Sequence, residues 1–221
     1  MHDNLPDIPH FGMDAFRTAT GVDDLAISRL KRYAEILLEW NTRLNLVSAG
    51  SLGDLWHRHI FDSAQLAELI PEQSRTLIDI GSGAGFPALV VAALLQSRGG
   101  FHVTMIESIE KKCAFLRAAA DTMELGSRVT IQRSRAEDLT GMVADVVTAR
   151  AVASLEVLLS YAQRFTGKST LCLFPKGRTA ADELTQARRS WRIEAELIPS
   201  RSDPESSIVA VTSFSFKGRR P

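Results

Sequence analysis

R-T-L-I-D-I-G-S-G-A-G-F-P, Arg75 to Pro87, is the stretch that decides the fold. Thr76 to Ile80 is a short, mostly apolar run of the kind that forms a buried strand. Gly81-Ser82-Gly83-Ala84-Gly85 then makes a glycine turn, and the apolar run Ala88 to Leu95 beyond it is long enough for a helix. Glycines, lacking Cβ atoms, let the backbone swing sharply and let a ligand lie against main-chain N–H groups. Pro87 suits the first helical position, where a missing N–H costs nothing. Strand, tight turn and helix start together make a site for a nucleotide-like ligand.

Two large cofactor classes use such a turn, and the spacing separates them. The dinucleotide fingerprint G-x-G-x-x-G needs a glycine at position 86, where Phe86 stands; the spacing here is G-x-G-x-G. Asp79 lies two residues before the first glycine. A second strand, His102 to Ile106, ends in Glu107, placed to accept hydrogen bonds from two ribose hydroxyls. In these features the chain resembles the S-adenosylmethionine methyltransferases; the plainer alternative is a turn that serves only the strand-to-helix connection.

With 221 residues the chain suits one large domain, or one domain with a small extension. Lys and Arg number 26 and Asp and Glu 26, so global charge gives no argument for a nucleic-acid partner and any such argument is local. Cys113 and Cys172 lie far apart, without metal-ligand spacing, in apolar patterns, which predicts a reduced, buried pair and no metal site. No apolar run reaches membrane-spanning length and the first residues lack a signal-peptide pattern, so a cytoplasmic protein with no membrane association is expected.

Residues 1–22 carry little periodic pattern and are expected to form a loosely ordered arm, with a short helix near Met13 to Thr18. Residues 23–72 read as an N-terminal helical cap. Asp23 or Asp24 caps one helix, in which Leu30, Tyr33, Ala34, Leu37, Leu38 and Leu44 recur at helical spacing; a second pattern runs from Leu52 to Ile70. From residue 73 to 221 strands and helices alternate: strands His102 to Ile106, Val129 to Gln132, Ala144 to Thr148 and Ser169 to Phe174 follow the first, joined by helices at Ile109 to Met123 and Ser154 to Phe165. A helix Ala180 to Arg189 and strands near Ile193 to Ile198 and Ser207 to Phe216 close the chain. The reading is α/β: a Rossmann-like, mostly parallel seven-stranded sheet with a C-terminal antiparallel hairpin. Parallel strands put ligand sites at their C-terminal ends, where Gly81, Glu107, Ala136-Glu137, Arg150 and Pro175-Lys176 all fall.

Several blocks together resemble the bacterial RsmG family of small-subunit ribosomal RNA methyltransferases, formerly glucose-inhibited division protein B. They are E-W-N-x-R-L-N-L-V-S at Glu39 to Ser48, R-H-I-F-D-S at Arg58 to Ser63, D-I-G-S-G-A-G-F-P at Asp79 to Pro87, E-S-x-x-K-K at Glu107 to Lys112, S-R-A-E at Ser134 to Glu137, A-R-A-V-A-S-L at Ala149 to Leu155, and P-K-G at Pro175 to Gly177. Ala88 departs from the glycine usual after the proline. The resemblance implies methylation of N7 of a guanine, nucleotide 527 of 16S rRNA, with S-adenosylmethionine as donor and 16S rRNA or the small ribosomal subunit as partner, by a protein expected to be a monomer. It places Gly81, Gly83, Gly85 and Phe86 around the donor's methionine part, with Asp79 among the donor-binding residues, Glu107 on the ribose and Ala136-Glu137 beside the adenine. The A-E-D run also fits a plain cap of a short helix. The resemblance sets Arg150 against donor or acceptor; paired with Glu137 or Asp145 it would be structural. Asn45, His59 and Asp62, polar residues within apolar patterns, are read as lining the acceptor pocket, although His59 and Asp62, three apart on a helix, would also satisfy each other. Lys176 either contacts RNA phosphate or sits solvated.

Guanine N7 is an unprotonated ring nitrogen with an exposed lone pair, so no general base is expected, and Arg150 is a candidate for orienting the acceptor. Asp145 is followed by Val146-Val147-Thr148 rather than the Pro-Pro-aromatic run of exocyclic-amine methylation, and Cys172 sits inside a strand, unlike the nucleophile of carbon-5 methylation. Arg29, Lys31, Arg32, Arg43, Arg58, Lys111, Lys112, Arg117, Arg133, Arg135, Lys217, Arg219 and Arg220 are candidates for a basic rim, although charged helix faces are usually just solvated. A methyltransferase for a small metabolite, with the cap as lid, is the alternative; a protein that binds the donor without transferring its methyl is another.

Overall fold

The computed structural model describes residues 11–218, so the first part of the expected arm, residues 1–10, and Arg219 and Arg220 of the basic rim lie outside the described residues. β1 (Thr76–Ile80) is the middle of the sheet, with β2 (His102–Glu107) parallel on one side and β4 (Ala144–Thr148) parallel on the other. β3 (Val129–Arg133) extends the β2 side and β5 (Thr166–Lys176) the β4 side. β7 (Ser207–Phe216) runs antiparallel to β5 and carries β6 (Trp191–Pro199) on its outer edge, which gives the order β3-β2-β1-β4-β5-β7-β6. The described residues thus form the expected Rossmann-like α/β sheet of seven strands with a C-terminal antiparallel hairpin.

Both faces are covered, as the two-residue side-chain alternation shows. Leu77, Val103, Met105, Val146 and Leu173 enter one core, with α5 (Ala88–Leu94), α6 (Glu110–Thr122) and the N-terminal helices. Ile78, Ile80, Ile106, Val147, Cys172 and Phe174 enter the other, with α7 (Leu155–Ala162) and α8 (Ala180–Ser190). α5 is apolar all round because it is buried all round: the six residues from Ala88 to Ala93 are inside, between the sheet and the N-terminal helices. Cys113 and Cys172 are free and buried. Among the described residues no helix is long and apolar enough to cross a membrane.

The N-terminal region meets one expectation and departs from another. The short helix expected near Met13 to Thr18 is α1 (Met13–Thr20), which ends at Gly21 in a left-handed conformation; its fully buried Phe16 packs against the rings of Trp56 and Phe61 at 5.5 and 6.4 Å, so the helix is held rather than loose. A buried Phe suffices to fix a short helix. α2 (Asp24–Asn41) begins at Asp23, whose carboxylate accepts from the N–H of Ala26 at 2.7 Å, and it buries Leu30, Tyr33, Ala34 and Leu37. The second pattern is not one helix: α3 (Ala49–Leu52) is a single turn, and Trp56–Phe61 is a π-helical segment running into α4 (Asp62–Leu69). Periodicity at 3.6 residues does not distinguish a wider turn inside a helix, and such turns gather at functional sites.

Two cations expected on a solvated or RNA-facing side instead fasten the cap. Arg29 Nε donates to the carbonyl of Met123 at 2.8 Å, and Arg32 donates to that of Thr122 and pairs with Glu124 at 2.6 Å. These carbonyls lie at the end of α6, where helix carbonyls lack intrahelical partners and the dipole favours a positive group.

Candidate active site

The glycine turn leaves β1 and packs directly on what surrounds it. Gly85 has φ 91°, and a Cβ there would lie 2.5 Å from Leu89 Cδ1; Gly81 has φ 68°, and a Cβ there would lie 2.7 Å from Val152 Cγ2. Neither position accepts a side chain without strain. Glu107, at the end of β2, accepts from the N–H of Gly83 at 3.0 Å and from that of Ile109 at 2.8 Å, so each oxygen is fixed by one donor and keeps a lone pair. Gly81, Glu107, Ser134, Ala136, Glu137 and Val152 line a cavity of about 160 Å³ at these strand ends. Ala136–Asp138 is a short 3₁₀ turn with Ala136 buried and Glu137 exposed, so it is a helical turn and a cavity wall at once.

Asp79 sits beneath the turn rather than in that cavity. It is 1% exposed; its Oδ1 accepts from the Thr148 hydroxyl at 2.7 Å, and its Oδ2 has no partner among the described residues. Burial pushes its carboxyl up to about 7, against the pull of the Ser82 and Thr148 hydroxyls and of Arg150.

Arg150 leaves β4 and meets the cap. Its guanidinium donates to Asp62 Oδ2 at 3.0 Å, to His59 Nδ1 at 2.7 Å and to the carbonyl of Arg58 at 3.3 Å, and it lies over the Phe86 ring, 5.0 Å from the centroid. Neither Glu137 nor Asp145 is its partner. Asp145 accepts from the N–H groups of Arg75 and Thr76 and from the Thr76 hydroxyl, and the Arg75 N–H leads in holding its pKa down. His59 and Asp62 do not bond each other; each turns to Arg150. Asp62 Oδ1 is taken by Gln65 at 3.1 Å and by the Ser202 hydroxyl at 2.7 Å, which ties the β6–β7 loop to the cap. The Phe86 ring is buried, stacked on His59 at 5.0 Å and tilted against Tyr33 at 5.2 Å, so its side chain supports Arg150 and His59 and does not line the Glu107 cavity.

These groups border a second cavity of about 630 Å³, whose walls include Arg58, His59, Asp62, Arg150, Lys176 and Ser202. Lys176 is neither solvated nor free: it pairs with Glu183 at 2.8 Å and donates to the carbonyl of Ala153 at 2.6 Å. Glu183 stays below the usual carboxylate range, because hydrogen bonds from Lys176 and from the N–H of Leu155 outweigh its burial. Asn45 is not brought to this group; it lines a different cavity of about 370 Å³ at the end of α2, where the Asn41 side chain holds the loop by accepting from the N–H groups of Leu46 and Val47. Burial, then Arg150 and Arg58, lower His59 to about 4, so it is neutral near pH 7. An arginine only donates, so Nδ1 must accept and the ring proton sits on Nε2. Of the expected basic rim, Arg29 and Arg32 serve α6, and Arg117 and Arg133 pair with Glu110, whereas Arg58 is exposed at the cavity mouth.

Sequence reasoning missed Ser202, Gln65, Glu183 and Val152. S-R-S-D-P-E-S-S at Ser200 to Ser207 reads as a polar turn with nothing to point at α4, and Glu183 reads as an ordinary exposed helix acid. Val152 carried a signal, an apolar residue just past the strand end that holds Arg150.

The sequence pattern of the family described as rRNA small subunit methyltransferase G matches residues 26–208. A Rhodospirillum centenum protein named ribosomal RNA small subunit methyltransferase G is 46% identical over 210 residues, 95% of this chain and 94% of that one. A Caulobacter vibrioides protein of the same name is 41% identical over 217 residues, 97% of this chain and 99% of that one. In fold the chain is similar to an O-methyltransferase from Bacillus cereus in complex with SAH, with TM-score 0.54 and 15% identity over 91% of this chain and 100% of that one.

Proposed function

The chain belongs to the rRNA small subunit methyltransferase G family, and on that premise we propose that it transfers a methyl group from S-adenosylmethionine to N7 of a guanine, nucleotide 527 of 16S rRNA. The observation that carries this reading is the meeting of two cavities at Val152, one at the glycine turn and Glu107, the other at Arg150 and the cap. Gly81 is a wall of the smaller cavity, against which the donor's methionine part lies, with Gly83 and Gly85 shaping the turn behind it; Glu107 has a free lone pair on each oxygen for the ribose hydroxyls, and Ala136-Glu137 flank the adenine. Asp79 lies below the turn as a buried acid bonded by Thr148, and since it lines neither cavity it supports the turn from beneath. The larger cavity takes the guanine, with exposed Arg58 at its mouth for phosphate.

Bound S-adenosylmethionine would supply a sulfonium methyl that guanine N7 attacks with its own lone pair, so no proton leaves N7. The residues around the larger cavity fit a reaction without a general base. His59 is neutral with its Nδ1 lone pair given to Arg150, and Asp62 has both oxygens engaged. What the protein supplies is alignment, worth about 7–11 kcal/mol at best when reacting groups are well held. Arg150, fixed from four sides, is the residue that orients the acceptor.

The test is transfer of label from methyl-labelled S-adenosylmethionine into small subunits lacking the modification, with the site mapped by chain cleavage at 7-methylguanine. Label at that one guanine is the expected result. Donor binding without label in subunits or in deproteinised RNA would overturn the ribosomal reading in favour of a small-metabolite substrate or a non-catalytic role.

A further inference from the structure

The loop from Arg150 to Ser154 joins β4 to α7 and separates the two cavities, and Val152 lines both. Val152 is apolar yet 38% exposed, and its isopropyl group packs on Gly81: a Cβ there would be 2.7 Å from one methyl and 3.3 Å from the other. Both residues are walls of the cavity assigned above to the donor. Ala151, just before it, has φ 56°, the left-handed region that a residue with a Cβ adopts at a cost. The loop is therefore held where it is by its neighbours, against its own backbone preference.

Those neighbours can be named. At one end Arg150 is fixed by Asp62 and His59. At the other, Lys176 donates to the carbonyl of Ala153 and pairs with Glu183, whose Oε2 also accepts from the N–H of Leu155 at 2.8 Å while its Oε1 accepts from Thr179 at 3.0 Å. The side chains of Lys176 and Glu183 are 10% and 24% exposed. Burying such a pair is worthwhile only when its hydrogen bonds are well made, and here they close on Ala153 and Leu155, just after Val152.

We propose that Val152 is a displaceable plug on the glycine turn, which the methyl donor must push off Gly81, and that Lys176 and Glu183 are positioning residues that hold it there. Withdrawal of the same side chain opens the passage between the cavities, so donor binding prepares the path along which the methyl meets its acceptor. The inference rests on the donor assignment above and goes beyond it, since it makes the β4–α7 loop a determinant of donor affinity.

Calorimetric titration of the full-length protein with S-adenosylhomocysteine tests this without any turnover. A loop that covers the site about four-fifths of the time weakens apparent binding about five-fold, so Val152→Ala should bind about five-fold tighter. Val152→Thr, of nearly the same shape, should keep the native affinity. Lys176→Met should also tighten binding, and in the Val152→Ala background it should add nothing further, because both act through one side chain. Weaker binding by Val152→Ala would overturn the proposal by making Val152 a ligand contact, and so would an undiminished Lys176→Met effect in the Val152→Ala background. Native binding that ignores both substitutions would overturn this proposal alone, whereas no binding by the unsubstituted protein would overturn the donor assignment with it.

Discussion

At the level of single residues, Asp79 and Arg150 respond to substitution in opposite ways. The carboxyl of Asp79 is raised from its ordinary 3.8 to about 7 by burial. Between those two values the folded protein holds a proton that the unfolded chain has released, so stability from this group is lost as pH rises from about 4 through about 7, at up to about 1.4 kcal/mol per pH unit. Asp79→Asn should therefore make the slope of thermal stability against pH more positive over that range in protein without donor, whatever opposing slope His59 adds, and an unchanged slope would contradict the protonated state. Arg150 is held through geometry. Lysine offers a point charge in place of a planar fork, and cannot donate to both His59 and Asp62 while stacked on Phe86. Single-turnover methyl transfer by Arg150→Lys at saturating donor should fall by about 10²-fold, the scale on which a misplaced group slows a reaction; native turnover would remove Arg150 from the orienting role.

Among elements, the clearest contrast lies between α2 and the strands. Arg29 on α2 bonds carbonyls at the end of α6, so Arg29→Ala should destabilise the fold by about 1–3 kcal/mol in urea titrations. The same change should leave the salt dependence of RNA binding untouched, because a residue that neutralises no phosphate releases no counterion. A lowered salt slope would return Arg29 to the RNA-facing rim. β1, β4 and β7 were legible to their last residues, since Thr76–Ile80, Ala144–Thr148 and Ser207–Phe216 are apolar runs bounded by turn signals. The N-terminal region was less so. The π-helical turn at Trp56–Phe61 leaves no trace in a 3.6-residue pattern, and although the helix around Phe16 was expected, its packing on Trp56 and Phe61, forty residues on, was not legible. That Gly81, Glu107 and Ala136 meet at one cavity could be read because each follows the end of a strand and parallel strands put their ends together. The partners of Arg150 could not, because Arg58, His59 and Asp62 come from the cap, and no local rule relates them to the end of β4, or Ser202 to Asp62.

Over the whole molecule, the cap and one face of the sheet share a single apolar core. α5 is covered by the sheet on one side and by α2 and α4 on the other, and the core on that face runs from Phe16 through Leu66 to Ala210. Residues 73–221 alone would expose that face, so this fragment should show no cooperative thermal transition by circular dichroism, while the full chain should show a single one. A fragment that melted cooperatively would establish the cap as a separate domain. The same arrangement bears on when the enzyme comes into being. Every residue around the Glu107 cavity has been made once synthesis passes Tyr161, but the larger cavity needs His59 and Asp62 from early in the chain and Ser200 to Ile208 from near its end. Domains generally fold as units as the chain emerges. A growing polypeptide therefore makes the lining of the Glu107 cavity well before that of the larger one, yet finishes neither early, because Ile208 and Ala210 belong to the core on which both rest.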